Sequence, residues 1–392
     1  MLKLNKLFYA FDLQDAFCDR VEPSEAQRKL LVDCKNEIRD HLRPRIRLAT
    51  ITALGMEKAV SPRFRTQGSW SYKTCVQPPF LPPQEIDWDF GVYLPVHVWE
   101  ENGPPHEMAK AYFGLVESLL RDLCRVKGWT LISGKATCIR VQVANWAHID
   151  IPLYAAPENE FALIVEKAAL SVRGSSGIHD AVRLSESAEF GEMPEQMWED
   201  LDHIVLATRS GEWKSSDPEA VARWYNDRVL EHTDQLLRVC RYLKAWRDYH
   251  WKEGGGPTSV SIMIMVAQAF ESQRGRDDLA LEMAATQLSV AIQGELREPG
   301  IDGGAEDFNS RLLPEEKTLA AQKAQELANT LKQARAHAHH LKHQAIIDLQ
   351  RQFGDRIPNR TDLIDIDSGA EAIRATPARR VTAPVVLATS AG

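Results

Sequence analysis

The sequence has no Cys-x-x-Cys pair, no long apolar run and no excess of basic charge, and each absence removes a class of protein. Six cysteines, Cys18, Cys34, Cys75, Cys124, Cys138 and Cys240, are spread over 392 residues without a regular framework. That spacing disfavours structural zinc and a disulfide scaffold, and it suits free thiols in a reducing, cytoplasmic compartment. No stretch approaches the roughly 20 apolar residues that span a bilayer. Met1-Leu-Lys-Leu-Asn-Lys-Leu-Phe8 is interrupted by Lys and Asn before an apolar core develops, so no signal peptide is expected. The formal net charge is -8. Long nucleic acid is usually held by a basic surface that releases counterions, so no stable nucleic-acid partner is expected. Small anions such as nucleotides need only a few cations in a cleft, and the acidic balance leans towards them.

What is present is enough apolar material for a large fold. With 44% hydrophobic and 26% charged residues, the chain can bury a substantial core in two lobes or one bilobal unit. Residues 1–23 read as a lead, 24–160 as a catalytic lobe, 161–360 as a helical second lobe and 361–392 as a flexible tail. A helix is predicted from about Ser24 to Ala59, started by Pro23-Ser24-Glu25 and carried by Leu30, Leu31, Cys34, Ile38, Leu42, Ile46, Ile51 and Leu54. Pro44 is expected to kink or divide it. Helical spacing returns at Met108, Ala111, Tyr112, Leu115, Leu119 and Leu123, and Lys127-Gly128 closes that helix. Trp129–Ile132, Cys138–Val143 and His148–Tyr154 read as short strands.

From about residue 160 the pattern turns helical. Val229–Trp251 reads as one amphipathic helix with Arg238, Arg241, Lys244 and Arg247 about a turn apart. Gly254-Gly-Gly-Pro-Thr-Ser259 forms a turn before a helix over Val260–Phe270. Residues 297–313 read as an irregular loop and Pro314–Phe353 as one long helix. His337, His339, His340 and His343 on it lack an acid or cysteine to complete a metal site and read as a solvated face. After Asp365 the composition matches a disordered tail. Most of the tryptophans suit core packing, with Trp246 facing inward and Trp70 and Trp88 bracing the stretch described next.

The chemistry concentrates in Thr66-Gln-Gly-Ser-Trp-Ser-Tyr-Lys-Thr74 and Gln84-Glu-Ile-Asp-Trp-Asp-Phe-Gly91. Small residues and a hydroxyl in the first run let a backbone approach phosphates. In the second, Asp87 and Asp89 are two apart in a strand-like run, so both carboxylates share a face and can reach the same cation. Asp150 lies between two isoleucines, a costly place for a carboxylate unless a cation or hydrogen bonds compensate; alone, it reads equally as a strand-edge residue facing solvent. An acid-x-acid pair or a Gly-Ser turn means little by itself. Together with a third acid and a basic helix, they supply the parts of two-metal phosphoryl transfer, in which carboxylates hold two Mg²⁺ roughly 3.5–4 Å apart.

The runs Gln67–Thr74, Gln84–Tyr93, His148–Tyr154, Trp213–Pro218 and Val239–Arg247 closely resemble the cGAS/DncV-like nucleotidyltransferases of anti-phage signalling, from about residue 25 to the C-terminal helix. The resemblance implies an α/β (α+β) fold: a polymerase-beta-like lobe with a short mixed sheet, and a helical second lobe. It implies metal-dependent joining of ATP and GTP into a cyclic dinucleotide, cyclic GMP-AMP. A related cyclic di- or trinucleotide, transfer to an RNA or protein acceptor, and a catalytically silent binding module are the rival readings. Carried over, Asp87, Asp89 and Asp150 hold two Mg²⁺, or Mn²⁺. Gln67, Gly68 and Ser69 contact the triphosphate, Lys244 and Ser259 grip its far end, and Tyr72 stacks on a base. Arg140 contacts an acceptor phosphate, and Asp302 lines the same pocket. Ser216 and Asp217 match positions near the acceptor base, although Ser215-Ser-Asp-Pro-Glu219 reads equally as a helix N-cap. Gly392 resembles an attachment point for a ubiquitin-like ligation partner, against the plain reading of a frayed terminus.

Overall fold

The computed structural model describes residues 1–12, 15–96, 106–159, 204–215, 218–297, 299 and 307–366. Strand β1 (Leu2–Lys3) leads into two short helices, α1 (Asn5–Phe8) and α2 (Phe17–Arg20), and then the long α3 (Glu25–Thr52). Ser24 caps α3 by accepting from the Gln27 N–H while the Gln27 side chain answers the Ser24 N–H, a reciprocal capping box. A strand and one helical turn follow, β2 (Arg63–Gln67) and α4 (Gly68–Ser71), then β3 (Ile86–Val96) and α5 (His106–Lys127). Strands β4 (Thr130–Ile132), β5 (Cys138–Ala144), β6 (Ala147–Pro157), β7 (Val205–Ala207) and β8 (Trp213–Ser215) complete the first lobe. Helices α6 (Pro218–His232), α7 (Asp234–His250), α8 (Ser259–Gln268), α9 (Asp277–Ala291), α10 (Pro314–Ala336) and α11 (Lys342–Phe353) build the second, and β9 (Asp365–Ile366) pairs with β1.

Seven strands form one mixed sheet with β6 at its centre. β6 runs parallel to β3 and antiparallel to β5, and beyond Pro152 the antiparallel partner changes to β7. Apolar residues on β3 and β6 are buried against α3 and α5, which cover one face of the sheet. A second, separate core gathers α7, α8, α9, α10 and α11. The expected α/β lobe with a mixed sheet and the helical lobe beside it are therefore both present. Among the described residues no helix is long and apolar enough to cross a membrane, and all six cysteines are free.

Three expectations need correction. α3 runs unbroken through Pro44. A helix-interior proline costs about 3 kcal/mol, but Leu31, Cys34, Ile38, Leu42 and Ile46 are all buried and stay in phase across it. Each such aliphatic side chain contributes roughly 1.5–3 kcal/mol, so the stripe outweighs the proline. The single helix expected over Val229–Trp251 is instead two, divided at Thr233, whose φ of 65° is left-handed and whose hydroxyl caps α7 by accepting from the Gln235 N–H. Pro314–Phe353 is likewise two helices. The chain folds α11 back on α10, placing His337 Nε2 2.7 Å from Asp348. That turn parts His337 from the exposed His339, His340 and His343. The described part of the lead contributes to the second core. Leu2, Leu4, Leu7, Phe8 and Phe17 are fully buried in the second core, and the Leu4 N–H donates to buried Asp278.

Candidate active site

The sheet register assembles the polar residues into two rows. Along one, Asp87 of β3 stands beside His148 of β6 and that beside Gln142 of β5; along the next, Asp89 stands beside Asp150 and that beside Arg140. Within each strand the two members are two residues apart, so all six point to one face of the sheet. The opposite face carries the apolar alternation, Ile86, Trp88 and Phe90 on β3 and Ile149 and Ile151 on β6, all buried.

Electrostatics differ sharply between the rows. Burial opposes ionisation of Asp150, but Arg140 donates from Nε at 2.6 Å and Nη2 at 2.7 Å, with Lys135 Nζ at 3.2 Å, and together they hold its carboxyl below the ordinary range. Among the described residues Asp89 has no such partner. Burial, then the neighbouring Asp87 and Asp150 charges, push its carboxyl well above the usual value. His148 is buried, which disfavours its charge, yet Asp87 outweighs this and raises its pKa. Its Nδ1 sits 2.5 Å from Glu85 Oε2 and its Nε2 2.8 Å from Asp87 Oδ1. The latter is a charge contact without an aligned hydrogen bond. Atoms of Asp87, His148 and Asp150 lie within 4.8 Å of one another; the carboxylates of Asp87 and Asp150, with Asp89 beside them, offer the oxygen donors a hard divalent cation takes, and a cation there would relieve the crowding at Asp89.

Gly68 explains how Asp89 fits. Its φ is 59°, and a Cβ built there would lie 2.0 Å from Asp89 Oδ2. Only glycine lets the turn between β2 and α4 close over that carboxylate. Beyond the turn opens a cleft of about 450 Å³ between the lobes, with Ser69, Asp87 and Asp89 on one wall and Lys244, Arg247 and Ser259 on the other. A second hollow of about 540 Å³ adjoins it on the side of Lys135, Cys138, Asp150 and Tyr154. Gly68, Tyr72, Asp89 and Val260 line both, so the two meet at Asp89. Each volume suits a nucleotide-sized ligand. Cys75 and Cys138 face one hollow each, but burial pushes their thiols up to about 11 and about 12. Neither is a thiolate nucleophile at neutral pH.

The predicted residues come together with changes of detail. Asp87, Asp89, Asp150, Gly68, Ser69, Tyr72, Lys244 and Ser259 all line these hollows. Tyr72 also packs edge-on against Tyr225 at 5.7 Å. Lys244 is buried, which lowers its pKa, and its Nζ donates to the Thr74 carbonyl at 2.6 Å. Ser259 Oγ accepts from Arg247 at 3.2 Å. Gln67 lines the second hollow rather than the main cleft, its amide donating to Tyr93 Oη at 2.6 Å. Arg140, expected on an acceptor phosphate, is engaged with Asp150, because the register sets the two side by side. Asp150 is accordingly buried and paired, excluding the solvent-facing alternative. Trp70 and Trp88 do brace the stretch, stacked at 4.1 Å, and Trp246 is fully buried. Ser216, Asp217, Asp302 and Gly392 lie outside the described residues. Sequence reasoning missed Glu85, His148, Gln142 and Lys135. Alternation contained a signal for two of them, since Glu85 and His148 stand two residues before Asp87 and Asp150.

Comparison with known proteins agrees with this geometry. The family described as "Cyclic GMP-AMP synthase DncV-like, nucleotidyltransferase domain" matches residues 62–154, and that described as "Cyclic GMP-AMP synthase, C-terminal domain" matches residues 233–366. A cyclic GMP-AMP synthase of Escherichia coli strain TW11681 is 31% identical over 333 residues, covering 82% of this chain and 73% of that protein. One from Vibrio cholerae is 35% identical over 223 residues, 54% of this chain and 48% of that protein. The crystal structure of Vibrio cholerae DncV with the linear intermediate 5′ pppA(3′,5′)pG superimposes with a TM-score of 0.73 at 22% identity, over 94% of this chain and 99% of that one. Its complex with GTP and 5MTHFGLU2 gives 0.74 at 22% identity, over 94% and 100%. At that identity the structures speak for the fold, and the sequence matches speak for descent: the chain belongs to the DncV-like cyclic GMP-AMP synthase family of nucleotidyltransferases.

Proposed function

We propose that this protein is a metal-dependent nucleotidyltransferase that condenses ATP and GTP into a cyclic dinucleotide, 3′,3′-cyclic GMP-AMP, as a second messenger in anti-phage defence. The observation that carries the reading is the pair of nucleotide-sized hollows that meet at Asp89. A single-substrate enzyme needs one such hollow; joining two nucleotides needs a donor and an acceptor site with the reacting centre between them.

In this reading the donor triphosphate lies in the main cleft, where Ser69, Lys244, Arg247 and Ser259 oppose its negative charge. The acceptor lies against Lys135 and Tyr154, its 3′-hydroxyl towards Asp150. Asp150, kept ionised by Arg140, orients the 3′-hydroxyl, whose proton passes to water as the 3′-oxygen forms its bond to the α-phosphorus and the bond to pyrophosphate breaks. The linear product then turns over, and a second attack of the same kind closes the ring. Mg²⁺ held by Asp87, Asp89 and Asp150 would supply charge neutralisation and activation of the hydroxyl. Positioning and charge stabilisation are the protein's main contribution, since phosphoryl transfer asks little covalent chemistry of it.

Purified protein incubated with labelled ATP, GTP, CTP and UTP plus Mg²⁺ tests this. A phosphatase-resistant cyclic product that is lost in Asp89→Asn supports the reading, and chromatography reads its bases and ring size. Label on RNA or protein, or no turnover, overturns it. With the same reading goes attachment of the C-terminal Gly392 by a ubiquitin-like ligation partner. Covalent adducts that still form after deletion of Gly392 would remove that part alone.

A further inference from the structure

The proposed reaction uses the acids but leaves one buried group beside them without a task. His148 is 5% exposed, and both its ring nitrogens face carboxylates, Nδ1 towards Glu85 and Nε2 towards Asp87. Glu85 is fixed in turn, because Gln142 donates from Nε2 to its other oxygen at 2.6 Å. The chain Gln142, Glu85, His148, Asp87 thus crosses three strands and ends on a carboxylate whose side chain is 48% exposed at the mouth of the cleft. Asp87 needs such a brace. An exposed aspartate rotates freely, and a metal site requires its oxygens within a few tenths of an ångström of the right place. Asp150 is braced by Arg140 and Asp89 by the close approach of Gly68. For Asp87 the described contact from another strand is His148.

We propose that Glu85 and His148 form a positioning pair that fixes the Asp87 carboxylate for cation binding, with His148 holding Oδ1 and Glu85 locking the imidazole. This rests on the metal-site reading above. Carboxylates on both nitrogens prevent the ring from turning without losing a contact, so Glu85 acts on Asp87 although it does not touch it. His148 is a positioning residue, and it acts through Asp87.

Mn²⁺ binding to the nucleotide-free protein, followed by electron paramagnetic resonance, gives a readout independent of the product made. His148→Ala should weaken Mn²⁺ binding about ten- to a hundredfold, the usual effect of losing a group that orients a metal ligand. Glu85→Ala, which keeps the imidazole and removes its anchor, should weaken it in the same direction and decides the matter if His148→Ala does not fold. His148→Gln, which places an amide near the Nε2 position without the ring's charge, should recover at most part of the loss. In turnover, both alanine variants should raise the Mg²⁺ requirement while the KM for nucleotide at saturating Mg²⁺ stays within about twofold. Wild-type Mn²⁺ affinity in a folded Glu85→Ala protein overturns the inference. So does directly coordinated nitrogen in the electron spin echo of bound Mn²⁺, which would make His148 a ligand. Wild-type protein with no Mn²⁺ site that Asp87→Asn removes overturns the metal-site reading itself, and this inference with it.

Discussion

Gly68 and Asp89 show how tightly single residues are constrained at this site. Gly68→Ala would place a methyl group 2.0 Å from Asp89 Oδ2 in a left-handed conformation. The backbone term alone costs about 1–2 kcal/mol, and the clash must move either the turn or the carboxylate. The expected result is a folded protein that has lost at least about a hundredfold in turnover, corresponding to the few kcal/mol of charge stabilisation that depend on Asp89. Asp89→Asn should lose activity similarly, yet with the opposite effect on stability. In the metal-free protein the Asp89 carboxyl is crowded by burial, Asp87 and Asp150, so the neutral amide should raise the melting temperature by a few degrees. Calorimetry without divalent cations checks this; a lower melting point would show that Asp89 is not a strained group. Much of this was legible in the sequence, because acids two apart in a strand and a Gly-Ser turn are local patterns. The partner of Asp150 was not, because Arg140 meets it only through strand pairing.

At the scale of elements, apolar periodicity located the helices and missed where they break. Thr233-Asp234 is a cap signal inside a continuous apolar pattern, and His337 lies where the α10 stripe ends and the chain reverses. The packing of three helices creates a pH-sensitive contact that sequence alone does not show. His250 on α7 meets Gln352 of α11 at 3.1 Å and Lys323 of α10 at 3.4 Å. Burial, then the Lys323 charge, lowers its pKa. The unfolded chain therefore binds a proton below about pH 6.5 before the folded protein does, and stability falls as pH drops through that region. Urea midpoints measured between pH 7 and 5 should show this decline, and His250→Asn should flatten it. An unchanged slope in the variant would assign the decline to other groups.

Over the whole molecule, contacts distant in sequence hold the wall of the cleft. Arg241 donates to the Lys73 carbonyl, Lys244 to that of Thr74, and Arg356 to those of Gln77 and Ala245. The loop after the Ser69 turn is thus clamped by the helical lobe. Arg356→Met removes its hydrogen bonds to two part-buried carbonyls, a loss of about 1–3 kcal/mol at roughly 0.5–1.5 kcal/mol each. It should lower the urea midpoint and raise the KM for the donor triphosphate by several-fold, although Arg356 touches no substrate in this reading; an unaltered KM would mean the loop keeps its place unaided. The N-terminus matters equally. Phe8 packs on Phe17, Tyr242 and Phe353, so Phe8→Ala should cost about 3–5 kcal/mol in denaturant unfolding. A loss below 1 kcal/mol would mean that this aromatic cluster does not hold the lead against the second core.

The sequence by itself determined the strand and helix faces and set Asp87 and Asp89 on one face, because each depends on spacings of two to four residues. The tertiary structure alone decided that Asp87 stands beside His148, that Asp150 stands between Asp89 and Arg140, and that Glu85 reaches the site at all. The reason is that a strand's period of two fixes which face a side chain takes but says nothing about which strand lies alongside or in what register. The neighbours that set the charge of an acid belong to that second kind of information. Asp87, Asp89 and Asp150 are the same residue type, and only strand pairing leaves one braced by histidine, one crowded beneath a glycine turn and one neutralised by arginine.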